Sequence, residues 1–400
     1  MSVVVLNLIR NFIDLFKKNE GFLVLEALPS SLIRLSLVIG DFNKKELYLA
    51  KIRNINEFKA DKIKKAVKSF GGSRRFPAII SLNSDLASTI YSAVSLVRSN
   101  AHDVIDEADL DNLISQAVWK FFDRHRAKVA QKLKVNDFDV ILTDVRVESI
   151  RLDGHKVVNP IGFKARSIEI HLCQTFTTRP VVSELRSIFP MENVRLVAEN
   201  GTVWSRVVSR TQSDPKFFVA NIFSDRTSLF LSDGLWLSHY NDFEWGSRNL
   251  RLALGEALAL DEATAEGVMA RYVANEASEI FINRTEKLLA REMDYLVKML
   301  NLPAKETGVR QIYLHHFAEL PPFAFSSSVK NKFDFTVKLE PLTHSFISDN
   351  HGYNLKFNKK VDSRLAYGIF SVAVEALLAP QQGAVSQMAR RRVRWLTPSN

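Results

Sequence analysis

Few residues in this sequence have types and spacings that could do chemistry. One cysteine, Cys173, an adjacent histidine pair, His315-His316, and an arginine-rich end, ARRRVRWLTPSN, are the main ones. A single cysteine can form neither an intrachain disulfide nor a thiolate metal cage. Cys173 lies in the alternating run IEIHLCQTF, where a small buried hydrophobe is the ordinary role. Adjacent histidines at a strand end point to opposite faces and do not share an ion, so no metal site is expected. Ser, His and Asp are scattered without a G-x-S-x-G context, and acyl transfer has no support. The chemistry left is that of binding. Arg390, Arg391, Arg392 and Arg394 beside Trp395 suit an anionic surface, each cation contributing about 1 kcal/mol.

Composition sets the frame for these residues. A chain of 400 residues exceeds one ordinary core, so two or more domains are expected. Hydrophobic content of 46% and charged content of 24% belong to a folded globular protein. The net charge of +10 suits an acidic partner, but Lys and Arg are spread along the chain with no aromatic-and-basic stacking module. No nucleic-acid role is expected. No apolar run is long enough to span a bilayer, and the single cysteine fits a reducing cytoplasm.

The elements follow from periodicity. Residues 1–20 form an amphipathic helix with Leu8, Phe12 and Phe16 on its apolar face. That face can dock on the protein's own core or lie in a membrane interface, where the basic end supplies a second weak anchor. Two strand-turn-strand ladders, Phe22–Ile52 and Phe217–Tyr240, resemble each other as an internal repeat does. Between them lies the clearest helix, residues 106–133, with Asp106 as its N-cap. A hairpin follows, turning at Asp153-Gly154 and interrupted at Asn159-Pro160-x-Gly162. Pro160 has no N–H, so the returning strand must be an edge or broken there.

This hairpin, VRVESIRLDGHKVVNPIGFKARSIEIHL, resembles that of the SHS2 module inserted in the FtsA and PilM family of bacterial actin homologues. The resemblance implies a two-lobed α/β, actin-like (ribonuclease H-like) fold with an inserted α+β subdomain. It divides the chain into the helix 1–20, subdomain 1A over 21–86, the SHS2-like 1C over 87–190 and 2A over 191–246. A reduced helical 2B over 247–302, 2A again over 303–343, a return to 1A over 344–380 and a basic tail over 381–400 complete it.

The family's nucleotide loops are degenerate in this sequence. Glu26 stands where the first turn's Asp belongs, with Leu28, Pro29, Ser30 and Ser31 replacing its glycine-containing turn. The second turn reads Asn221-Ile222-Phe223-Ser224-Asp225-Arg226, with no glycine and the Asp replaced. The adenosine loop reads Leu314-His315-His316-Phe317-Ala318-Glu319. No catalytic residue and no cofactor are expected, and any binding of ATP with Mg is expected to be weak. The resemblance implies an FtsA-like scaffold at the inner face of the cell membrane that tethers a tubulin-like division polymer to it and can itself form a filament. Its alternative is a PilM-like component of pilus or secretion assembly that binds the cytoplasmic tail of a membrane protein. An active ATPase of the actin, chaperone and sugar-kinase superfamily is the third reading, which the degenerate loops oppose.

Overall fold

The computed structural model describes residues 19–41, 44–72, 76–316, 320–358, 367–378 and 384–396. Leu8, Phe12 and Phe16 lie outside the described residues, as does the loop segment 317–319. The chain opens with a meander, β1 (Asn19–Ala27), β2 (Ile33–Asp41) and β3 (Glu46–Ile55), then α1 (Ala60–Ser69) and β4 (Ala78–Leu82). The insert holds β5 (Ala87–Val97), α2 (Glu107–Leu133), β6 (Val140–Leu152), β7 (His155–Val157), β8 (Ser167–Thr178) and α3 (Arg179–Ile188). After β9 (Val194–Glu199) and α4 (Asn200–Ser209) comes a second meander, β10 (Lys216–Ile222), β11 (Thr227–Asp233) and β12 (Leu237–Phe243). Helices α5 (Ser247–Leu258), α6 (Glu262–Val273) and α7 (Glu279–Thr307) precede β13 (Gln311–His316), α8 (Ser327–Lys330) and β14 (Lys338–Pro341). The described chain closes with α9 (His344–His351), β15 (Asn354–Phe357), α10 (Tyr367–Leu378) and α11 (Ala384–Leu396).

The strands form two sheets, ordered β15-β3-β2-β1-β4-β9 and β14-β13-β10-β11-β12-β5-β8-β6-β7. Each contains the same unit: an antiparallel meander whose first strand is flanked by a parallel strand, which is flanked by another. The repeat expected from the two ladders is therefore a repeat of topology. Helix α4 is buried along most of its length between the sheets, and Trp204, Val207, Phe22, Phe217, Phe230 and Phe370 share one core there. Gly201 is needed at this crossing, because a Cβ would fall 1.9 Å from the Phe230 ring. Fully burying each Phe-sized side chain contributes about 1.5–3 kcal/mol, so this shared core binds the sheets together.

The insert is built around one long helix and a three-stranded core. Asp106 caps α2 by accepting from the Asp109 amide at 2.8 Å. The helix lays Leu110, Ile114, Ala117 and Phe121 on a sheet in which β8 pairs with both β5 and β6. Asp153 (φ 46°) and Gly154 (φ 87°) make the tight turn. The return is broken: β7 is three residues at the sheet edge, and β8 is the main partner of β6. Through a bridge between Tyr91 and Leu237 the insert's sheet continues that of the second meander.

Three expectations need correction. Residues 194–199 belong with the first sheet rather than with the second, because β9 runs parallel to β4. Pro303 does not end the helical stretch at 302. Helix α7 continues to Thr307, whose hydroxyl donates to the Pro303 carbonyl at 2.7 Å. The basic tail is also not a tail over Ala384–Leu396, which forms α11 and packs Met388 and Ala389 on the insert's core. There Arg390 donates to Asp144 Oδ1 at 3.3 Å and to the Arg195 carbonyl at 2.6 Å, so its charge is used inside the protein. Arg391 is exposed, and the side chains of Arg392, Arg394 and Trp395 lie outside the described residues.

Candidate functional site

The loops that end β1, β10 and β13 are brought toward one another by the parallel strands beside each meander. At the end of β1, Glu26 is fully buried, with its nearest guanidinium nitrogen, Arg34 Nη1, 3.6 Å away. Burial pushes this carboxyl up to about 7, against the opposing pull of Arg34. Ser30 and Ser31 follow at φ 60° and 59°, exposed, in a turn closed by the Leu28 amide on the Leu32 carbonyl at 2.8 Å. Non-glycine side chains therefore occupy a left-handed turn here.

At the end of β10, Asn221 faces His315 on the neighbouring β13. Its Oδ1 accepts from His315 Nδ1 at 2.5 Å, and its Nδ2 donates to Asn200 Oδ1 at 3.2 Å. The Trp204 ring lies 4.9 Å from that of His315. Burial, with His316 and Arg34 adding repulsion, holds the His315 pKa well below the usual range, so the ring is neutral. His316 turns the other way and accepts from the Leu320 amide through Nδ1 at 3.1 Å. The opposite orientations match the expectation for adjacent histidines, and no metal-ligating cluster occurs among the described residues.

The second loop is fastened to α5. The Ser247 and Arg248 amides donate to the Phe223 and Ser224 carbonyls at 2.9 and 2.8 Å. A Cβ on Gly246 would lie 2.3 Å from the Ser224 carbonyl oxygen, so this glycine admits the loop backbone. A helix N-terminus whose first amides faced outward would suit an anion. Here carbonyls of the same chain take them. Phe223 is buried, Ser224 and Asp225 are exposed, and Arg226 reaches back to Asp85 in the loop after β4, with two contacts of 2.5 Å.

Sequence reasoning missed an ionic cluster where the insert meets the first sheet. Arg146 on β6, 1% exposed, donates to Glu375 on α10 at 2.6 Å and to the Cys173 sulfur at 3.2 Å. Arg206 on α4 binds Glu148 at 2.5 Å, and Arg210 approaches Glu375 at 3.3 Å. Burial raises the Cys173 thiol to about 11, in line with a structural role. The signal was present in Asp144-x-Arg146-x-Glu148, charges on one face of a strand.

A groove of about 360 Å³ opens where β12 leaves β5, lined by Ile90, Lys128, Val129, His239, Tyr240 and Asp242 among others. Asp242 is held down to about 2; desolvation opposes this, and His239, Ser228 and Arg226 outweigh it. Lys128 lies 5.7 Å from the Trp236 ring centre. Its neighbour Lys132 is committed to the buried Glu199 at 2.5 Å.

No family model and no curated protein matches this sequence. Among solved structures, the chain is similar to that of a PilM–PilN type IV pilus biogenesis complex, at 15% identity and a TM-score of 0.50. That likeness covers 89% of this chain and 97% of the other. The ethanolamine utilization protein EutJ from Carboxydothermus hydrogenoformans is similar at 10% identity and a TM-score of 0.40, over 89% of this chain and 90% of its own. A ROK family glucokinase from Streptomyces griseus is similar at 9% identity and a TM-score of 0.44, over 91% and 99%. No helix among the described residues is long and apolar enough to cross a membrane. Two sheets that repeat one strand order around a shared helical core give this chain the actin-like ATPase fold.

Proposed function

We propose that this protein is a PilM-like scaffold that binds a cytoplasmic segment of a pilus or secretion membrane protein and does not turn over nucleotide. The observation that carries the reading is the loop at the end of β10. Its Asn221 amide is spent on Asn200 and His315, and its carbonyls take the first amides of α5. The first amides of α5 are already spent and would not serve a phosphate, and a magnesium ion would find the Asn221 amide in place of a carboxylate. Such a fold acts through its surface. The likeness to PilM in a PilM–PilN complex supports the pilus reading over the FtsA-like tether of a division polymer. The protein then works in the cytoplasm against the inner face of the membrane.

The groove between α2 and β12 is the place proposed for the tail. It combines apolar Ile90 and Val129 with hydroxyl, amide and lysine groups, the mixture that holds a short peptide by a few anchors. Fluorescence anisotropy with peptides from the cytoplasmic segments of membrane proteins encoded beside this one tests the reading. Saturable binding, weakened by Lys128→Glu and by Tyr240→Ala, is expected. Binding of none of them, together with co-sedimentation on a tubulin-like polymer, overturns it.

A further inference from the structure

The interrupted hairpin does something the scaffold reading leaves unused. Asn159 Oδ1 accepts from the Ile161 amide at 3.1 Å, and the Pro160 carbonyl accepts from the Phe163 amide at 3.2 Å. Gly162 turns at φ 87° with nothing within 4 Å of where a Cβ would stand. The Gly162 amide then donates to the Ile105 carbonyl, and the Ile105 amide to the Phe163 carbonyl, each at 2.8 Å. Arg98, buried beneath, ties the base by donating to Asp109 and to the Asp103 and Ala165 carbonyls. The result is a tip braced by hydrogen bonds within itself and to Ile105. It carries Val158 at 100% exposure, Phe163 at 53% and Ile161 at 40%, with Val104 at 52% alongside.

Cations surround these apolar side chains. Residues 151–166 contain Arg151, Lys156, Lys164 and Arg166 against one acid, Asp153. The Asp153 carboxylate is already occupied by the Arg166 and Ser167 amides and the Ser167 hydroxyl. Lys156, Lys164 and Arg166 form no ion pair with any described residue, whereas Arg151 has Glu169 at 3.8 Å.

We infer that this tip is a contact for an anionic lipid surface. Exposed apolar side chains interleaved in sequence with exposed lysine and arginine match an interface that is apolar within and negative at its rim. The inference rests on the tip's own residues and not on the scaffold reading, so the test uses vesicles with no protein partner.

The probe is the full chain carrying an environment-sensitive fluorophore on Val158→Cys. Cys173 is buried with a raised pKa, so the label goes to the tip. Vesicles of phosphatidylcholine with about one-third phosphatidylglycerol should blue-shift the emission and sediment the unlabelled protein, and neutral vesicles should do neither. Val158→Asp with Phe163→Asp should weaken sedimentation roughly tenfold, as should Lys156→Glu with Lys164→Glu. These side chains are exposed, so the circular dichroism spectrum should be unchanged. Absence of a blue shift, or equal sedimentation of the variants, overturns the inference. A tip label that responds to an acidic peptide and not to vesicles assigns the surface to a protein and overturns it as well.

Discussion

Arg226 and Asp85 join the two meander units through a bidentate contact, with Nη1 and Nη2 each 2.5 Å from a carboxylate oxygen. The arginine of the second turn is thereby committed to the loop after β4. Calorimetry with Mg-ATP at high protein concentration should give no binding heat, and Arg226→Ala should not create any. A micromolar dissociation constant or metal-dependent turnover ends the scaffold reading. Because Asp85 is 59% exposed, the pair itself should contribute little, and Arg226→Ala should lower stability by less than about 1 kcal/mol.

Glu26 gives a prediction in pH. Its folded pKa of about 7 lies above the ordinary value of 4.5, so the folded state holds the proton more tightly than the unfolded one. The corresponding stability is present below pH 4.5 and is lost as pH rises through about 7. Over that window the wild type should lose about 3 kcal/mol more than Glu26→Gln does. Arg34 makes the absolute effect of the substitution mixed, so the pH dependence of the difference is the quantity to read. Parallel denaturation curves for the two proteins across pH 5 to 8 would show that the carboxyl titrates normally.

The ionic cluster predicts an asymmetry. Glu375 is fully buried among Arg146, Arg206 and Arg210, which hold its carboxyl ionised against the cost of burial. Glu375→Gln leaves those guanidinium groups short of a counter-charge and should cost about 3–5 kcal/mol by chemical denaturation. Arg146→Met made together with Glu375→Met should cost less than the two single changes added. Additive costs would mean that the residues act separately.

The halves of this fold differ in how much their residues disclose. The meanders, the α2 cap at Asp106 and the broken strand at Pro160 arise from neighbours in sequence, where periodicity and turn chemistry act directly. The cluster of Arg146, Glu148, Arg206 and Glu375 draws on residues up to 229 positions apart, and no local pattern pairs them. The basic end was misread for the same reason. Its spacing also presents Ser386, Met388 and Ala389 to the insert, but that face has meaning only once β6 and α2 are there to receive it. The loop residues Glu26, Asn221 and His315 were found through a resemblance. Their actual partners come from two further elements, Arg34 from β2 and Asn200 and Trp204 from α4.

Asn221→Asp restores the side-chain type that the second turn carries in the resembling family, and it separates the loop's backbone from its side chain as the cause of any defect. The new carboxylate would sit buried beside His315, with the Asn200 amide able to flip and donate one hydrogen bond. Its charge is balanced only if His315 takes a proton. The carboxylate raises the His315 pKa from its depressed value, and the stability brought by that proton is lost as pH rises. The variant should therefore be less stable at pH 8 than at pH 6 relative to the wild type, by about 1–3 kcal/mol. It should still bind no Mg-ATP, because the Ser247 and Arg248 amides remain committed to the Phe223 and Ser224 carbonyls. Calorimetry on the folded variant at pH 6.5 decides the matter. Appearance of micromolar Mg-ATP binding would show that the loop backbone was competent all along and that one amide had silenced it.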